Sequence, residues 1–385
     1  MSAQLRKPGW NMVKFGDIAQ NVAVRVDPAD AKTDVYVGLE HLDPSTIHLR
    51  QWGHPSDVTG QKLAFKKGDV IFGRRRAYQR KLAIAEFDGI CSAHAMVVRA
   101  IPKMILPEFL PFFLQSDMFM ERAIEISVGS LSPTINWKTL RVQVFPLPPL
   151  EEQKRTAEVL WAADEVVEQF SNASEKLQQT RDSYLRGLSS NSASRKWKVT
   201  KLSECFEIVS GQVNPKEEPY RSMPLVAPNH IEQNTGRLIC VETAKEQNAI
   251  SGKYLFQPGD VVYSKIRPNL RKAFIADFEG LCSADMYALR PLPERIMTRF
   301  LLSILLGEHF TSFALTRSVR TGIPKLNRQE MSEYELPLPT IEDQKQISSH
   351  LKAIDAEEQN LIRHRDEVFE LKRQISRECL EIAHV

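Results

Sequence analysis

Two short basic segments carry the side chains best suited to binding a polyanion. Residues 74–81 (RRRAYQRK) hold five positive charges and a tyrosine, and residues 265–272 (KIRPNLRK) hold four positive charges and an asparagine. Arginine and lysine neutralise phosphates, and arginine and asparagine form paired hydrogen bonds with guanine and adenine edges. A solvated charged hairpin is the alternative interpretation. The predicted DNA-contacting residues here are Arg74, Arg75, Arg76, Tyr78, Arg80, Lys81, Lys265, Arg267, Asn269, Arg271 and Lys272.

Two turn-rich segments, 127–136 (SVGSLSPTIN) and 318–327 (SVRTGIPKLN), supply further candidates for phosphate contact. Their glycine, serine and proline content is typical of loops. Around the second segment these candidates are Arg317, Arg320 and Lys325.

Patterns that would indicate catalysis are missing from the sequence. It contains no G-x-x-x-x-G-K-[ST], G-x-G-x-x-G, G-x-S-x-G or H-E-x-x-H motif. Cys91 and Cys282 share a G-(I/L)-C-S-A context, and no histidine next to it is common to both copies, so we interpret them as buried thiols. His41 and His230 recur in both halves and are interpreted as structural polar contacts. We therefore predict no catalytic residue and no metal ligand.

The chain contains an internal duplication. Residues 65–99 align without a gap on residues 256–290, with 15 identities in 35 positions, at an offset of 191. Near the start of each copy the offset is 187, so four residues have been gained within 203–255. Because solenoid repeats run about 20–45 residues, a period this long instead predicts two domains related by a pseudo-twofold axis. Such symmetry suits a partner with two half-sites.

The pattern within each copy predicts an α+β fold with a curved mixed sheet. Short β-branched stretches such as 68–73 and 95–100 read as strands punctuated by glycine, proline and aspartate. Apolar residues at three- and four-residue spacing then predict helices over 107–125 and 294–315.

A Pro-Leu-Pro junction ends each globular part, and a helical pattern of nearly forty residues follows it. Its alternating spacing of three and four is typical of a coiled-coil seam, here interrupted by polar residues. We predict that the two helices pack antiparallel on each other; the alternative is that each packs on its own globular domain. The seam residues that we also expect to bind partner helices are Leu160, Val167, Phe170, Leu177, Ile347, Leu351, Ile354, Leu361, Val368 and Ile375.

The charge distribution agrees with this division. Segments 151–189 and 341–382 each have a net charge of −3, although the whole chain carries +3, so the globular parts are basic. Basic globular surfaces favour a nucleic-acid partner. No apolar run approaches the roughly 18 residues of a membrane span, and no stretch of signal-peptide type opens the chain, which predicts a cytoplasmic protein.

Three repeated motifs resemble a known family. They are Gly-Asp-Val with the arginine and lysine downstream (68–81, 259–272), (D/E)-G-x-C-S-A (88–93, 279–284) and P-L-P-x-x-E-x-Q-K (146–154, 337–345). Together with the domain–helix–domain–helix plan, they resemble the specificity subunits of type I restriction–modification systems over essentially the whole chain. The expected organisation is two target recognition domains, 1–150 and 190–340, and two spacer helices, 151–189 and 341–385.

The resemblance implies a non-catalytic subunit in which each domain recognises one half of a bipartite, asymmetric double-stranded DNA target. It implies that the helices set the spacer and dock two modification (methyltransferase) subunits, which bind S-adenosylmethionine and methylate adenine. It further implies restriction subunits that use ATP and magnesium, and no cofactor in this chain.

The two copies differ where Lys265-Ile266 replaces Arg74-Arg75 and Asn269 replaces Tyr78, as expected for different half-sites. Other interpretations stay open at this point. They are a stand-alone coiled-coil scaffold, a DNA-binding protein outside a restriction system, and a magnesium-dependent nuclease with an unrecognised carboxylate site.

Overall fold

The computed structural model describes residues 9–190, 197–318 and 322–380. Their contacts divide the chain into unit 1, residues 1–169 and 364–385, and unit 2, residues 170–363. Each unit therefore contains one globular part, a portion of the long helix that follows it, and a portion of the other long helix.

The secondary structure of the first globular part and its helix follows the predicted order of strands, short helices and one long helix. Its elements are β1 (Asn11–Lys14), α1 (Phe15–Ile18), β2 (Ala19–Asn21), β3 (Arg25–Val26), β4 (Tyr36–Val37), β5 (Lys62–Phe65), β6 (Val70–Phe72), β7 (Leu82–Ile84), β8 (Gly89–Cys91), β9 (Met96–Ala100), α2 (Leu110–Gln115), α3 (Asp117–Glu125), α4 (Trp137–Leu140), β10 (Val144–Leu147) and α5 (Leu150–Ser190).

The second copy repeats this order. Its elements are β11 (Lys198–Lys201), β12 (Phe206–Ile208), β13 (Gln212–Val213), β14 (Pro224–Val226), β15 (Glu242–Thr243), β16 (Lys253–Phe256), β17 (Val261–Ser264), β18 (Ala273–Ile275), β19 (Gly280–Cys282), β20 (Met286–Pro291), α6 (Thr298–Leu306), α7 (Glu308–Arg317), α8 (Arg328–Ser332), β21 (Glu335–Leu338) and α9 (Ile341–Leu380).

Within the described residues, each globular part contains two sheets of four or five strands rather than one curved sheet. In unit 1 the orders are β2-β9-β6-β7 and β3-β5-β8-β4, with β4 and β8 parallel. In unit 2 the orders are β12-β20-β17-β18 and β13-β16-β19-β14-β15, with β14 and β19 parallel. The added edge strand β15 lies within 203–255, where the second copy gains four residues. A two-stranded ribbon, β1 with β10 or β11 with β21, closes each copy next to the long helix.

The first sheet of each unit is buried on both faces. Along β6, Val70 and Phe72 face the helices while Ile71 faces the second sheet, the period of two expected for a strand. On the helix side, Phe15, Phe119 and Phe145 lie with ring centroids 5.2–6.1 Å apart. Because both faces of this sheet are buried, most positions along its strands are apolar.

The two helices predicted over 107–125 and 294–315 are each broken in two. Ser116 has an extended ψ of 148°, and its hydroxyl accepts a hydrogen bond from Phe119 N, so it caps a new helix. Gly307, with a ψ of 152°, makes the corresponding break in unit 2. The apolar spacing continues across both breaks, which is why the sequence pattern predicts one helix in each case.

The antiparallel packing of the long helices is confirmed within each unit. In unit 1, Ala157 and Leu160 of α5 share a core with Leu380 of α9. In unit 2, Leu188 shares a core with Ile347 and Leu351. Both cores also contain residues of the globular part, so each helix packs on its own domain as well as on the other helix.

A buried glutamine in the Pro-Leu-Pro junction joins the helix to the globular part. The Gln153 amide nitrogen donates to Met104 O (3.1 Å) and Pro148 O (2.9 Å), and its oxygen accepts from Leu106 N (2.9 Å). Gln344 makes the equivalent three bonds in unit 2. These bonds satisfy backbone groups that would otherwise be buried without partners, which is the physical reason for the repeated motif.

Candidate nucleic-acid interface

Each basic segment forms a tight loop with two arginines in a left-handed backbone conformation. In unit 1 a 3-10 turn, Ala77–Gln79, lies between Arg76 (φ 58°) and Arg80 (φ 53°). In unit 2 the turn Pro268–Leu270 lies between Arg267 (φ 49°) and Arg271 (φ 44°). Residues with a side chain rarely adopt this conformation, and such strained positions concentrate at functional sites.

The structure joins the basic loops to the turn-rich segments that the sequence singled out separately. Arg76 N donates to Pro133 O (2.7 Å), and Ile135 N donates to Arg74 O (2.9 Å). In unit 2, Arg267 N donates to Pro324 O (2.8 Å) and Leu326 N to Lys265 O (2.8 Å). We call each combination a paired-loop surface: residues 74–80 with 127–136 in unit 1, and 265–271 with 322–327 in unit 2.

Several cations of the basic segments bind acceptors inside the protein. Lys81 Nζ donates to Leu39 O and Lys272 Nζ to Pro228 O, both at 2.8 Å. Arg80 forms an ion pair with Asp117. Arg271 forms one with Asp182 of α5, at 2.8 Å. These four side chains therefore hold the loops in place, and their placement favours a structural role over direct contact with phosphate.

Lys265 is also engaged within the chain. Its side chain is buried, its Nζ lies 4.8 Å from the centroid of the Tyr287 ring, and burial lowers the pKa of its ammonium group. Arg74 Nη2 donates to Ala93 O at 2.9 Å. Arg317, exposed at the end of α7, lies 3.2 Å from Glu333.

The candidates that face outward lie together on the paired-loop surfaces. Arg76 is exposed, with its Nε 3.3 Å from Ser132 Oγ, and Tyr78 is 54% exposed. Within the described part of the chain, no hydrogen bond or ion pair engages the side chains of the exposed candidates Arg267, Asn269 and Lys325, or that of half-buried Arg75. Arg320 lies outside the described residues.

The cysteines and histidines common to both copies have structural positions. Cys91 and Cys282 are fully buried, and burial raises the pKa of each thiol to about 12. His41 Nδ1 accepts a hydrogen bond from Gly38 N (3.0 Å), and His230 Nδ1 accepts one from Ala227 N (3.2 Å). The interpretation of these residues as packing and polar contacts is confirmed. Among the described side chains, no group of three or more His, Cys, Asp or Glu is placed to hold a metal ion.

A charged cluster that the sequence did not predict anchors the first globular part to both long helices. His48 lies between Glu86 and Asp164 of α5, and Asp164 is also paired with Lys372 of α9. The hydrogen bond with Asp164 raises the pKa of His48 to about 9, against the effect of burial. No signal in the sequence connects these residues, because 116 positions separate His48 from Asp164.

Four of the predicted partner-binding residues of the helical seam are buried within the chain. Leu160, Ile347 and Leu351 belong to the cores described above, and Val167 is buried. These four are covered in the folded units, so the surface left for another subunit is mostly the outer face of each helix. The rest of the predicted set is half-buried: Phe170, Leu177, Ile354, Leu361, Val368 and Ile375.

One known protein family matches the chain twice, once in each copy of the duplication. The family model described as "Type I restriction modification DNA specificity domain" matches residues 8–179 and again residues 194–370. The chain belongs to this family. The predicted resemblance is confirmed, and the two matches correspond to the two copies of the internal duplication.

Relatives in this family align over most of their length. The chain is 25% identical to the type I restriction enzyme EcoDI specificity subunit of Escherichia coli, covering 92% of this chain and 83% of that protein. It is 22% identical to the MjaVIII specificity subunit of Methanocaldococcus jannaschii, covering 96% and 92%.

Two solved structures share the fold. The type I restriction–modification S subunit from M. genitalium covers 100% of both chains at 14% identity, with a TM-score of 0.55. A structure from a study of complex assembly and conformational transition in a type I system covers 98% of this chain and 99% of that chain at 20% identity, with a TM-score of 0.53. None of the described helices is both long and apolar enough to cross a bilayer.

Proposed function

We propose that this chain is the DNA sequence-recognition subunit of a type I restriction–modification enzyme, and that each paired-loop surface contacts one half of a bipartite, asymmetric target. The single observation that carries this proposal is that the same left-handed loop backbone occurs twice with different side chains on it. Unit 1 exposes Arg76 and Tyr78, and Arg75 is half-buried beside them. Unit 2 exposes Arg267 and Asn269 at the aligned positions, and Ile266 is half-buried. A retained scaffold with changed contact residues suits two half-sites of different sequence.

Charge supports the same assignment. The cations that are not bound to a carboxylate or a backbone carbonyl can neutralise phosphates, while those bound within the chain hold the loops in place. Segments 151–189 and 341–382 are net acidic, so DNA is favoured on the globular parts and disfavoured along the helices.

The proposed organisation follows from these two roles. Residues 1–150 and 190–340 act as target recognition domains, and helices 151–189 and 341–385 set the spacer between the half-sites. The outer faces of the helices dock two modification subunits, and restriction subunits join that complex in the cytoplasm.

The chemistry belongs to those partners. The modification subunits bind S-adenosylmethionine and methylate adenine, and the restriction subunits use ATP and magnesium. This chain holds the target in register for them and contributes no reacting group of its own.

Methylome sequencing of cells with and without the gene tests the proposal. We expect a bipartite, asymmetric motif with a fixed spacer to carry methyl-adenine only when the chain is present together with its modification subunits. An identical methylome in both strains would contradict a role in modification, and sequence-specific DNA binding without methylation would indicate a DNA-binding protein outside a restriction system.

A further inference from the structure

Each paired-loop surface carries a large aliphatic side chain that is exposed to solvent. Leu131 in unit 1 is 90% exposed. Ile323 in unit 2 is 58% exposed and lies one position beyond the residue aligned with Leu131. Isolated apolar residues on a surface are common, but here they recur at nearly the same place in two domains of different sequence.

Leu131 is held at the end of a short, well-defined hairpin. Val128 and Thr134 exchange two backbone hydrogen bonds, of 3.1 and 3.0 Å. Gly129 supplies the positive φ of 119° that the turn needs, which favours glycine at that position. The leucine therefore projects from a fixed backbone that makes no use of it for packing.

The basic loop holds this hairpin from the other side. Arg76 N bonds to Pro133 O, the Arg76 guanidinium lies 3.3 Å from Ser132 Oγ, and Arg75 forms a backbone bridge with Thr134. In unit 2, Ile323 lies next to Pro324, the acceptor for Arg267 N, and close to exposed Lys325. In both units the aliphatic side chain is flanked by cations.

A phosphate gains nothing from contact with an aliphatic side chain, but a base edge does. Apolar groups in protein–DNA interfaces contact the thymine methyl group and the edges of bases, while neighbouring arginines and lysines bind the backbone. An apolar protein surface is a poorer fit, because the flanking cations would have to be desolvated on binding it.

We propose that Leu131 and Ile323 are specificity-determining residues, each making apolar contact with base edges in its own half-site. This inference rests on the proposed function and adds the residue in each domain that reads bases rather than phosphates. Arg76 and Arg267 bind the adjacent phosphates and fix the depth at which Leu131 and Ile323 enter the groove.

The test uses the full chain assembled with the modification subunits and duplexes that each carry one base-pair substitution in the methylated motif. We expect Leu131→Ala to weaken binding of the intact target about tenfold and to abolish discrimination at one or two adjacent base pairs of one half-site. Discrimination in the other half-site and the slope of log K against log salt should be unchanged. Ile323→Ala should produce the same effect in the opposite half-site.

Matched variants separate this contact from other effects. Leu131→Met keeps an apolar side chain and should retain most of the affinity, whereas Arg76→Ala should weaken binding to every duplex and reduce the salt slope by about 0.9. The thermal midpoint of Leu131→Ala should equal that of the wild type, because the side chain is exposed.

The inference is overturned if Leu131→Ala binds all duplexes as the wild type does, or if its loss of affinity is the same for every sequence. A loss of assembly with the modification subunits would instead place the hairpin at a protein interface and overturn it as well. If the wild-type complex shows no sequence preference at all, the proposed function fails, whatever the variants do.

Discussion

Asp164 of α5 accepts a hydrogen bond from Lys372 of α9, 208 residues further along the chain, in the buried contact between the two helices in unit 1. The residue aligned with Asp164 in the second copy is Asp355, and the one aligned with Lys372 in the first is Arg181. Arg181 Nη1 lies 3.9 Å from Asp355 and 3.6 Å from Glu358 in unit 2. A cation on the helical seam thus pairs with the aligned carboxylate in both units, which suits a role in setting helix register.

Removing the cation of this pair should destabilise unit 1. In Lys372→Met, Asp164 stays buried with His48 as its main partner, so we expect a loss of about 2–4 kcal/mol in the free energy of unfolding. Urea denaturation followed by circular dichroism measures it. Arg373→Met, at the exposed neighbouring position, is the control and should change stability little. If Lys372→Met is as stable as this control, the pair does not stabilise the unit.

The raised pKa of His48 predicts a pH-dependent stability of unit 1. An unfolded histidine titrates near 6.5 and folded His48 near 9, so its contribution is full below pH 6.5 and is lost as the pH rises towards 9. We expect the loss to be about 1–3 kcal/mol, since the imidazole is partly solvated. Thermal melts at pH 6.5 and 9 should show a drop in wild type that His48→Gln removes. His94→Gln, at an exposed histidine, should keep the drop, and a drop of equal size in His48→Gln would refute the assignment.

Gln153 and Gln344, at the two Pro-Leu-Pro junctions, should be needed for each long helix to pack on its globular domain. Gln153→Leu leaves Leu106 N, Met104 O and Pro148 O without their partner, and we expect a cost of about 2–4 kcal/mol. Gln169→Leu changes an exposed glutamine of the same helix and serves as the control. Hydrogen exchange at Leu106 should increase in the first variant only; equal protection in both would contradict the role given to Gln153.

Substituting an arginine that has an unengaged side chain and substituting one that is paired within the chain should have different effects. Arg267→Ala should weaken DNA binding and lower the salt slope by about 0.9 without changing the melting temperature. Arg271→Ala breaks the pair with Asp182 and should lower the melting temperature of unit 2. Anisotropy titrations over a range of salt, beside thermal melts, distinguish them. This distinction fails if both variants change the salt slope equally and leave stability intact.

The proposed spacer role predicts a change in the DNA target when the helices are shortened. Deleting residues 171–177 of α5 and 359–365 of α9 removes one heptad from each helix, about 10 Å at 1.5 Å per residue. At about 3.4 Å per base pair, the methylated motif should then have a spacer about three base pairs shorter and unchanged half-sites. Methylome sequencing of cells with the shortened chain measures this, and an unchanged spacer would contradict the proposal.

The sequence by itself determined the plan of the protein. Two long segments that match at a constant offset of 191 residues show a duplication. Apolar residues at every second position identify strands, and apolar residues at a spacing of three and four identify helices, wherever one face is buried. The long helices, the boundary at Pro-Leu-Pro and the positions of the basic loops follow from such local signals. The breaks at Ser116 and Gly307 do not, because apolar spacing continues across them and local backbone geometry decides where a helix ends.

Only the tertiary structure decided which side chains are available for binding. Arg76 and Arg80 lie four residues apart in one basic run, yet one is exposed and the other is paired with Asp117. Asp117 binds Arg80, 37 residues away in the sequence, and Asp164 binds Lys372, 208 residues away. Pairs of residues so distant in the chain produce no periodic pattern in the sequence. The charge composition therefore indicates the kind of partner, while three-dimensional packing determines which residues are available to bind it.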